Sequence, residues 1–262
     1  MARFASIEDE WRAFLTGAHP GIRRGRHFWR LLPSSPRCEW CNAPFGLPGS
    51  IGTRLAGKKR ETKNPRFCNA CFGTLKLGGA EIELSLLFAD VRGSTALAER
   101  LGPAAFRNLL NRFYTTTADV IVGTDGLVDK FVGDEVIGLY LPVLTGDKHA
   151  QSAIAAAQEL LRRTGHGDPR GPWLPIGVGV HTGVAFVGAV GEENGVRDLT
   201  ALGDPVNITA RLASAAAQGE ILITDNAVRS AAFAADALER RELLLKGKNE
   251  PVAVRVLKCA TA

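Results

Sequence analysis

The rhythm of apolar and polar positions changes near residue 81. Upstream, only Ile7 to Leu15 keeps helical spacing, with Trp11, Phe14 and Leu15 on one side. Between Ala43 and Pro65 there is little periodicity, which predicts a loop that is mobile or pinned by a metal. Downstream the pattern is regular. Ile82 to Asp90 reads as an apolar strand ending in an acid, and Gly93-Ser94-Thr95 opens a helix. Arg107 to Val122 predicts an amphipathic helix with Leu109, Leu110, Phe113 and Tyr114 among its apolar positions. Gly126 to Leu141 reads as a tight hairpin turning at Gly133-Asp134. A helix over Ala150 to Arg163, a glycine-rich hairpin over Ile176 to Val190 and a helix over Val206 to Ala217 follow. Glu220 to Thr224 predicts a short strand, and Leu243 to Leu257 a last hairpin turning between Lys246 and Pro251. Strands alternating with helices and hairpins give an α+β sandwich, with helices packed on a mainly antiparallel sheet.

Composition narrows the class. The chain has 262 residues, 45% hydrophobic, 23% charged and 7% aromatic, with 29 Gly, 13 Pro and 5 Cys. That mix predicts a soluble globular protein of one or two domains and excludes collagenous, disordered and disulfide-dense chains. The uncharged run Leu174 to Gly191 carries five glycines, Pro175 and His181, so it is no membrane span. The opening MARFASIEDE has three acids and no apolar core, so no secretory signal is read there and the expected location is cytoplasmic. Charge divides the chain again. Residues 1–80 hold 14 Lys+Arg against 5 Asp+Glu, whereas residues 81–262 hold 18 against 22. Two units are expected, 1–80 and 81–262, with different tasks.

Four of the five cysteines form two Cys-x-x-Cys pairs, Cys38 with Cys41 and Cys68 with Cys71, 26 residues apart. Two such turns facing each other complete a tetrahedral four-sulfur site, which suits structural Zn²⁺. An iron–sulfur cluster is the next choice, and a redox dithiol the third. Asn42 after the first pair and Phe72-Gly73 after the second offer residues tolerant of unusual backbone angles. The basic runs Arg23, Arg24, Arg26 and Arg30, then Lys58, Lys59, Arg60 and Lys63, read as a solvated surface in preference to a nucleic-acid site.

The second unit holds the candidate chemistry. Asp90 ends a strand and Asp134 sits in a hairpin turn, and two carboxylates on neighbouring strand ends can share a pair of divalent ions. Magnesium prefers carboxylates together with substrate phosphates, so such a site implies a nucleotide. Gly93, Ser94 and Thr95 would offer backbone N–H groups to a triphosphate at a helix start. Asn207 and Arg211, four apart, share a helix face, where Asn can orient a ribose and Arg can neutralise charge developing on phosphorus. His181, among valines, reads as a structural histidine rather than a ligand.

Together these residues resemble a known family. Phe88-Ala-Asp-Val-Arg-Gly-Ser-Thr95, Lys130-Phe-Val-Gly-Asp134, Gly177-Val-Gly-Val-His-Thr-Gly183 and Leu202-Gly-Asp-Pro-Val-Asn-Ile-Thr-Ala-Arg211 are similar to the motifs of class III nucleotidyl cyclases, in the family's order. Lys246-Gly-Lys248 resembles its late phosphate-binding turn. The resemblance spans residues 81–262, outside the cysteine unit. It implies the family's palm-like sandwich, with Asp90, Asp134 and the Val91 carbonyl holding two Mg²⁺ or Mn²⁺. It implies Asn207 and Arg211 as catalytic groups, Lys246 on the terminal phosphates, and Lys130 with Thr200 reading the purine. Lys with Thr suits adenine, where guanylate cyclases usually place Glu and Cys. The substrate implied is therefore ATP, cyclised to 3′,5′-cyclic AMP and pyrophosphate. Thr at that position resembles the class IIIb branch, in which bicarbonate stimulation is known. Gly177 stands where some members carry a phosphate-binding Arg. Family sites lie between two cyclase domains, so a homodimer is implied. The alternatives are a guanylate cyclase, a diguanylate cyclase echoed faintly by Val132-Gly-Asp-Glu-Val136, and a silent nucleotide sensor on a zinc-ribbon nucleic-acid binder.

Overall fold

The computed structural model describes residues 4–62, 67–73, 76–192, 197–248 and 250–259. Lys63 and Pro65, placed above in a basic run and a loop, lie outside them. The elements, in chain order, begin with α1 (Ile7–Leu15), α2 (Pro20–Trp29), α3 (Ser50–Leu55) and α4 (Asn69–Gly73). Then come β1 (Gly78–Val91), α5 (Ser94–Leu101), α6 (Pro103–Gly123), β2 (Leu127–Val132) and β3 (Glu135–Tyr140). They continue with α7 (Pro142–Thr145), α8 (His149–Arg163), β4 (Ile176–Gly191), β5 (Arg197–Leu202) and α9 (Asp204–Ala215). Last are β6 (Glu220–Thr224), α10 (Asp225–Ser230), β7 (Glu239–Leu243) and β8 (Val252–Lys258). The chain forms two compact units: Met1–Ile82 with Leu141–Gly146 and Phe186–Ala201, and Glu83–Tyr140 with Asp147–Ala185 and Leu202–Ala262.

In the first unit, α1 starts where the Ser6 hydroxyl accepts the Asp9 N–H at 3.0 Å, and Glu8, Asp9 and Glu10 suit the positive end of the helix dipole. Its buried face is Trp11 and Leu15. Pro20 begins α2, where a missing N–H costs nothing. The stretch without periodicity holds the short helix α3, too brief for its spacing to show in the sequence.

The sheet of the described residues runs β2-β3-β1-β4-β6-β8-β7, with β5 paired to β4. β1 with β3, β2 with β3, β6 with β8 and β7 with β8 pair antiparallel, while β4 and β6 pair in parallel, with Val178 and Val180 opposite Ile221 and Ile223. In the second unit both sheet faces are covered. On one, Phe113, Val120 and Ile121 of α6 and Ala153, Ile154, Ala157, Leu160 and Leu161 of α8 pack on Leu87, Ala89, Val178, Val180, Ile221 and Ile223. On the other, Ile208, Leu212 and Ala216 pack on Leu222, Val254 and Val256. Burial on both sides explains why β6 is buried at every position.

Two elements depart from the sequence reading. The first strand of the last hairpin, β7, ends at Leu243 instead of starting there. Ile176 to Gly191 is a single continuous strand, not a hairpin. Its glycines serve close approach rather than turning. A Cβ on Gly179 would stand 2.7 Å from the Ala213 nitrogen and Thr209 oxygen, and one on Gly177 would stand 2.8 Å from the Ala216 oxygen. These two glycines therefore let α9 lie directly on the strand. At the other end, within the first unit, a Cβ on Gly188 would stand 2.1 Å from the Gly78 oxygen.

Candidate functional site

The strand ends bring the first two carboxylates into one corner of the second unit. β1 and β3 pair antiparallel with Asp90 opposite Glu135, so the acid ending β1 meets the turn that carries Asp134. Gly133 adopts φ 59°, which lets a two-residue turn close the hairpin. The Val91 N–H donates to the Asp134 carbonyl at 3.2 Å and fixes the two loops together. The Tyr114 hydroxyl donates to the Gly133 carbonyl, and its ring stacks on Phe131 at 4.6 Å, which braces the turn from α6.

Two neighbours were not assigned roles from the sequence. Arg92, inside the Asp-Val-Arg-Gly motif, forms an ion pair with the Asp90 carboxylate and donates to the Ser214 carbonyl at 2.7 Å. Burial pulls its pKa down, against the opposing pull of Asp134 and Glu135. Glu135 is raised to about 7, first by burial and then by the charge on Asp134, with Arg92 working the other way. Their signal in the sequence was adjacency alone: each lies within two residues of a predicted metal ligand. The corner thus concentrates carboxylate oxygens, and a cationic side chain already balances one of them. Such an all-oxygen donor set fits Mg²⁺ or Mn²⁺.

Val91 is buried beside Asp90. Gly93 caps α5 at φ 67°, with Ser94 and Thr95 in its first turn. A second group forms around α9. Arg211 reaches the β7–β8 turn, where a Cβ on Gly247 would stand 3.4 Å from its Nη2. Lys248 of that turn pairs with Asp204 at the start of α9, and Lys246 is exposed beside it. Asn207 is exposed one turn before Arg211. Among the described residues, neither the Asn207 nor the Arg211 side chain is engaged in a hydrogen bond or ion pair.

Lys130 is half-buried on β2 in the second unit, with its Nζ 3.9 Å from the Asp129 carboxylate. Thr200 is buried on β5 in the first unit, 2% exposed, its hydroxyl directed to the Ala201 carbonyl at 3.4 Å. His181 is structural, as read: its Nδ1 lies 2.9 Å from the Thr224 hydroxyl, and burial holds its pKa down to about 4.

In the first unit the four cysteines converge. Their sulfurs lie within 4.8 Å of one another, and no two are joined in a disulfide. The Cys38–Cys71 and Cys41–Cys68 separations are 3.9 and 3.8 Å. A tetrahedron of thiolates at zinc's bond length has edges of about 3.8 Å. The first pair turns through Asn42 at φ 63°, whereas Gly73 after the second simply ends α4. Backbone N–H groups of Cys68 and Cys71 point at sulfurs, at 3.3 and 3.4 Å. The Lys58 ammonium lies 3.9 Å from both Cys41 and Cys68. Burial lowers the Lys58 pKa, but the surrounding thiols more than offset it. Trp40, between Cys38 and Cys41 in the chain, is fully buried against Phe14, Phe67 and Phe72.

Comparison with known proteins agrees with this geometry. Residues 80–257 match the family described as adenylate and guanylate cyclase catalytic domain. This chain belongs to that family. Its fold matches the solved guanylyl cyclase Cya2, with a TM-score of 0.61 and 28% identity over 71% of this chain and 96% of that one. It also matches the adenylyl cyclase CyaB from P. aeruginosa, with a TM-score of 0.59 and 29% identity over 70% and 97%. An adenylate cyclase of Anabaena cylindrica is 28% identical over 70% of this chain and 38% of its own length. An uncharacterized protein of Mycobacterium tuberculosis is 33% identical over 68% of this chain and 33% of its own. The chain therefore spans between about a third and two fifths of the length of these curated relatives. Domains of this family bind nucleotide, use divalent metals and work as dimers. No helix among the described residues is long and apolar enough to cross a membrane.

Proposed function

We propose that the chain is an adenylate cyclase, converting ATP to 3′,5′-cyclic AMP and pyrophosphate in a homodimer. The observation that carries the choice of ATP is the residue pair Lys130 and Thr200, an amine donor and a hydroxyl suited to adenine. Asp90 and Asp134, with the Val91 carbonyl, would hold two Mg²⁺ or Mn²⁺. Held by these groups, such ions would supply a lower pKa at the ribose 3′-hydroxyl and positive charge against the triphosphate. Asn207 orients the ribose, and Arg211 meets the charge that develops at the α-phosphorus. Gly93, Ser94 and Thr95 present N–H groups to the triphosphate, and Lys246 pairs with its far end. Both the adenylyl cyclase CyaB and the Anabaena relative support this reading. The near-equal likeness to the guanylyl cyclase Cya2 favours the second reading, a guanylate cyclase.

Incubating the purified chain with ATP and with GTP, each with Mn²⁺ or Mg²⁺, and separating the products decides between them. Cyclic AMP from ATP is expected, and a Lys130→Glu/Thr200→Cys variant should shift the preference toward GTP by about tenfold or more. Cyclic GMP as the main product of the unaltered chain would overturn the adenylate assignment.

The four cysteines are read as a structural Zn²⁺ site. Their spacing suits one ion, whereas a cluster with several irons and bridging sulfides needs its thiolates farther apart. Elemental analysis should give one zinc per chain with no visible absorbance. Stoichiometric iron with acid-labile sulfide would contradict it.

A further inference from the structure

Residues 11–60 carry ten Lys and Arg against one acid, Glu39. Two of these cations work internally: Arg26 donates to the Trp40 carbonyl at 3.1 Å, and Arg37 donates to the Trp29 carbonyl at 3.0 Å. Most of the rest face solvent, including Arg23, Arg24 and Arg30 at α2 and Arg54, Lys59 and Arg60 at and after α3. The same two elements expose large apolar side chains. Leu31 is 76% exposed and Phe28 61%, at the end of α2, while Leu55 is 86%, Leu47 73% and Ile51 56% along α3. Leu47, Ile51 and Leu55 recur every four residues, so they line one side of α3 and the turn before it. The two groups are neighbours. A Cβ on Gly52 would stand 3.3 Å from Leu32 Cδ1, and the Gly49 N–H donates to the Ser34 hydroxyl at 3.2 Å.

A single exposed leucine needs no explanation. Five large apolar groups on two adjoining elements, amid six cations, do. The unit does not lack a core to receive them, since Trp40, Phe67 and Leu15 are fully buried in it. We propose that this face of the first unit binds an anionic lipid surface. Phe28, Leu31, Leu47, Ile51 and Leu55 enter the headgroup region, and the arginines and lysines around them pair with lipid phosphates. The chemistry of the patch selects that occupant. Nucleic acid would use the cations, but four aliphatic side chains offer nothing to a base or a phosphate. A second copy of the same face would set six cations against six, which repel. The inference concerns peripheral contact only, and it is independent of which nucleotide the second unit takes.

Sedimentation of the full chain with vesicles tests it, using phosphatidylcholine alone and phosphatidylcholine mixed with phosphatidylglycerol. Binding should be about tenfold or more stronger to the anionic vesicles and should weaken as salt screens the charges. The variant Leu31→Ser/Leu55→Ser should weaken it about tenfold, and Arg23→Glu/Arg24→Glu/Arg30→Glu should weaken it further. All five side chains are exposed, so circular dichroism and tryptophan fluorescence should match the unaltered chain. Equal binding to both vesicles, or full binding by the leucine variant, would overturn the proposal. So would indifference to vesicles by a chain that binds duplex DNA, captures an acidic protein or self-associates through this face.

Discussion

Two corners of the second unit differ in how firmly they are built. At the β1 end, Asp90 and Asp134 are tied down by the strand register, the Val91–Asp134 hydrogen bond, the Arg92 ion pair and the Tyr114 brace. At α9, the helix itself lies close on β4 over Gly177 and Gly179, yet Asn207 and Lys246 stand exposed and Arg211 reaches only as far as the β7–β8 turn. Carboxylates close together repel, so they must be held by the fold before any metal arrives. Groups that act on the substrate from a facing domain can stay open until that domain docks. The contrast is what the proposed homodimer would need if one copy supplied the metal corner and the other the α9 corner.

The largest effect should come from the firm corner. Asp90→Ala should lower kcat by about a thousandfold or more, because the divalent ions lose a ligand. Its melting temperature should fall by only a few degrees, since Arg92 loses its Asp90 partner but keeps the Ser214 carbonyl and the charges of Asp134 and Glu135. A large drop in both would make Asp90 structural instead. Arg211→Ala should cost about a hundredfold in kcat with a smaller change in KM, as expected for a group that acts mainly in the transition state. An equal rise in KM at unchanged kcat would assign Arg211 to ground-state binding.

The third effect concerns the support under α9. His181 is buried, and its folded pKa of about 4 lies below the ordinary histidine value, so the folded state resists its protonation. Its contribution is fully present above about pH 6.5 and is lost as the pH falls toward 4, roughly 3 kcal/mol in all. Denaturant titrations across that window should show the loss, and a His181→Gln variant should flatten it. An unchanged slope in the variant would place the acid sensitivity elsewhere.

The sequence carried the firm corner well and the rest unevenly. Asp90 and Asp134 were legible because a strand end and a Gly-Asp turn are local signals, and strand neighbourhood alone then brought them together. Arg92 and Glu135 were not, because their roles depend on burial and on what stands opposite, which no local pattern encodes. β4 was misread since a glycine that permits close helix packing looks, in sequence, the same as one that permits a turn. The sulfur cluster was visible in two short motifs, but Lys58 beside the sulfurs, and Phe14 packed on the Trp40 inside the first motif, come from separate stretches of chain.

The shared site is tested most directly by mixing two variants, Asp90→Ala from the firm corner and Arg211→Ala from the open one. Each alone should be nearly inactive. In an equal mixture with free exchange, half the dimers are mixed and each holds one intact site, so about a quarter of the unaltered activity should return. No recovery, with exchange demonstrated by labelled subunits, would show that both corners serve the same site from within one chain.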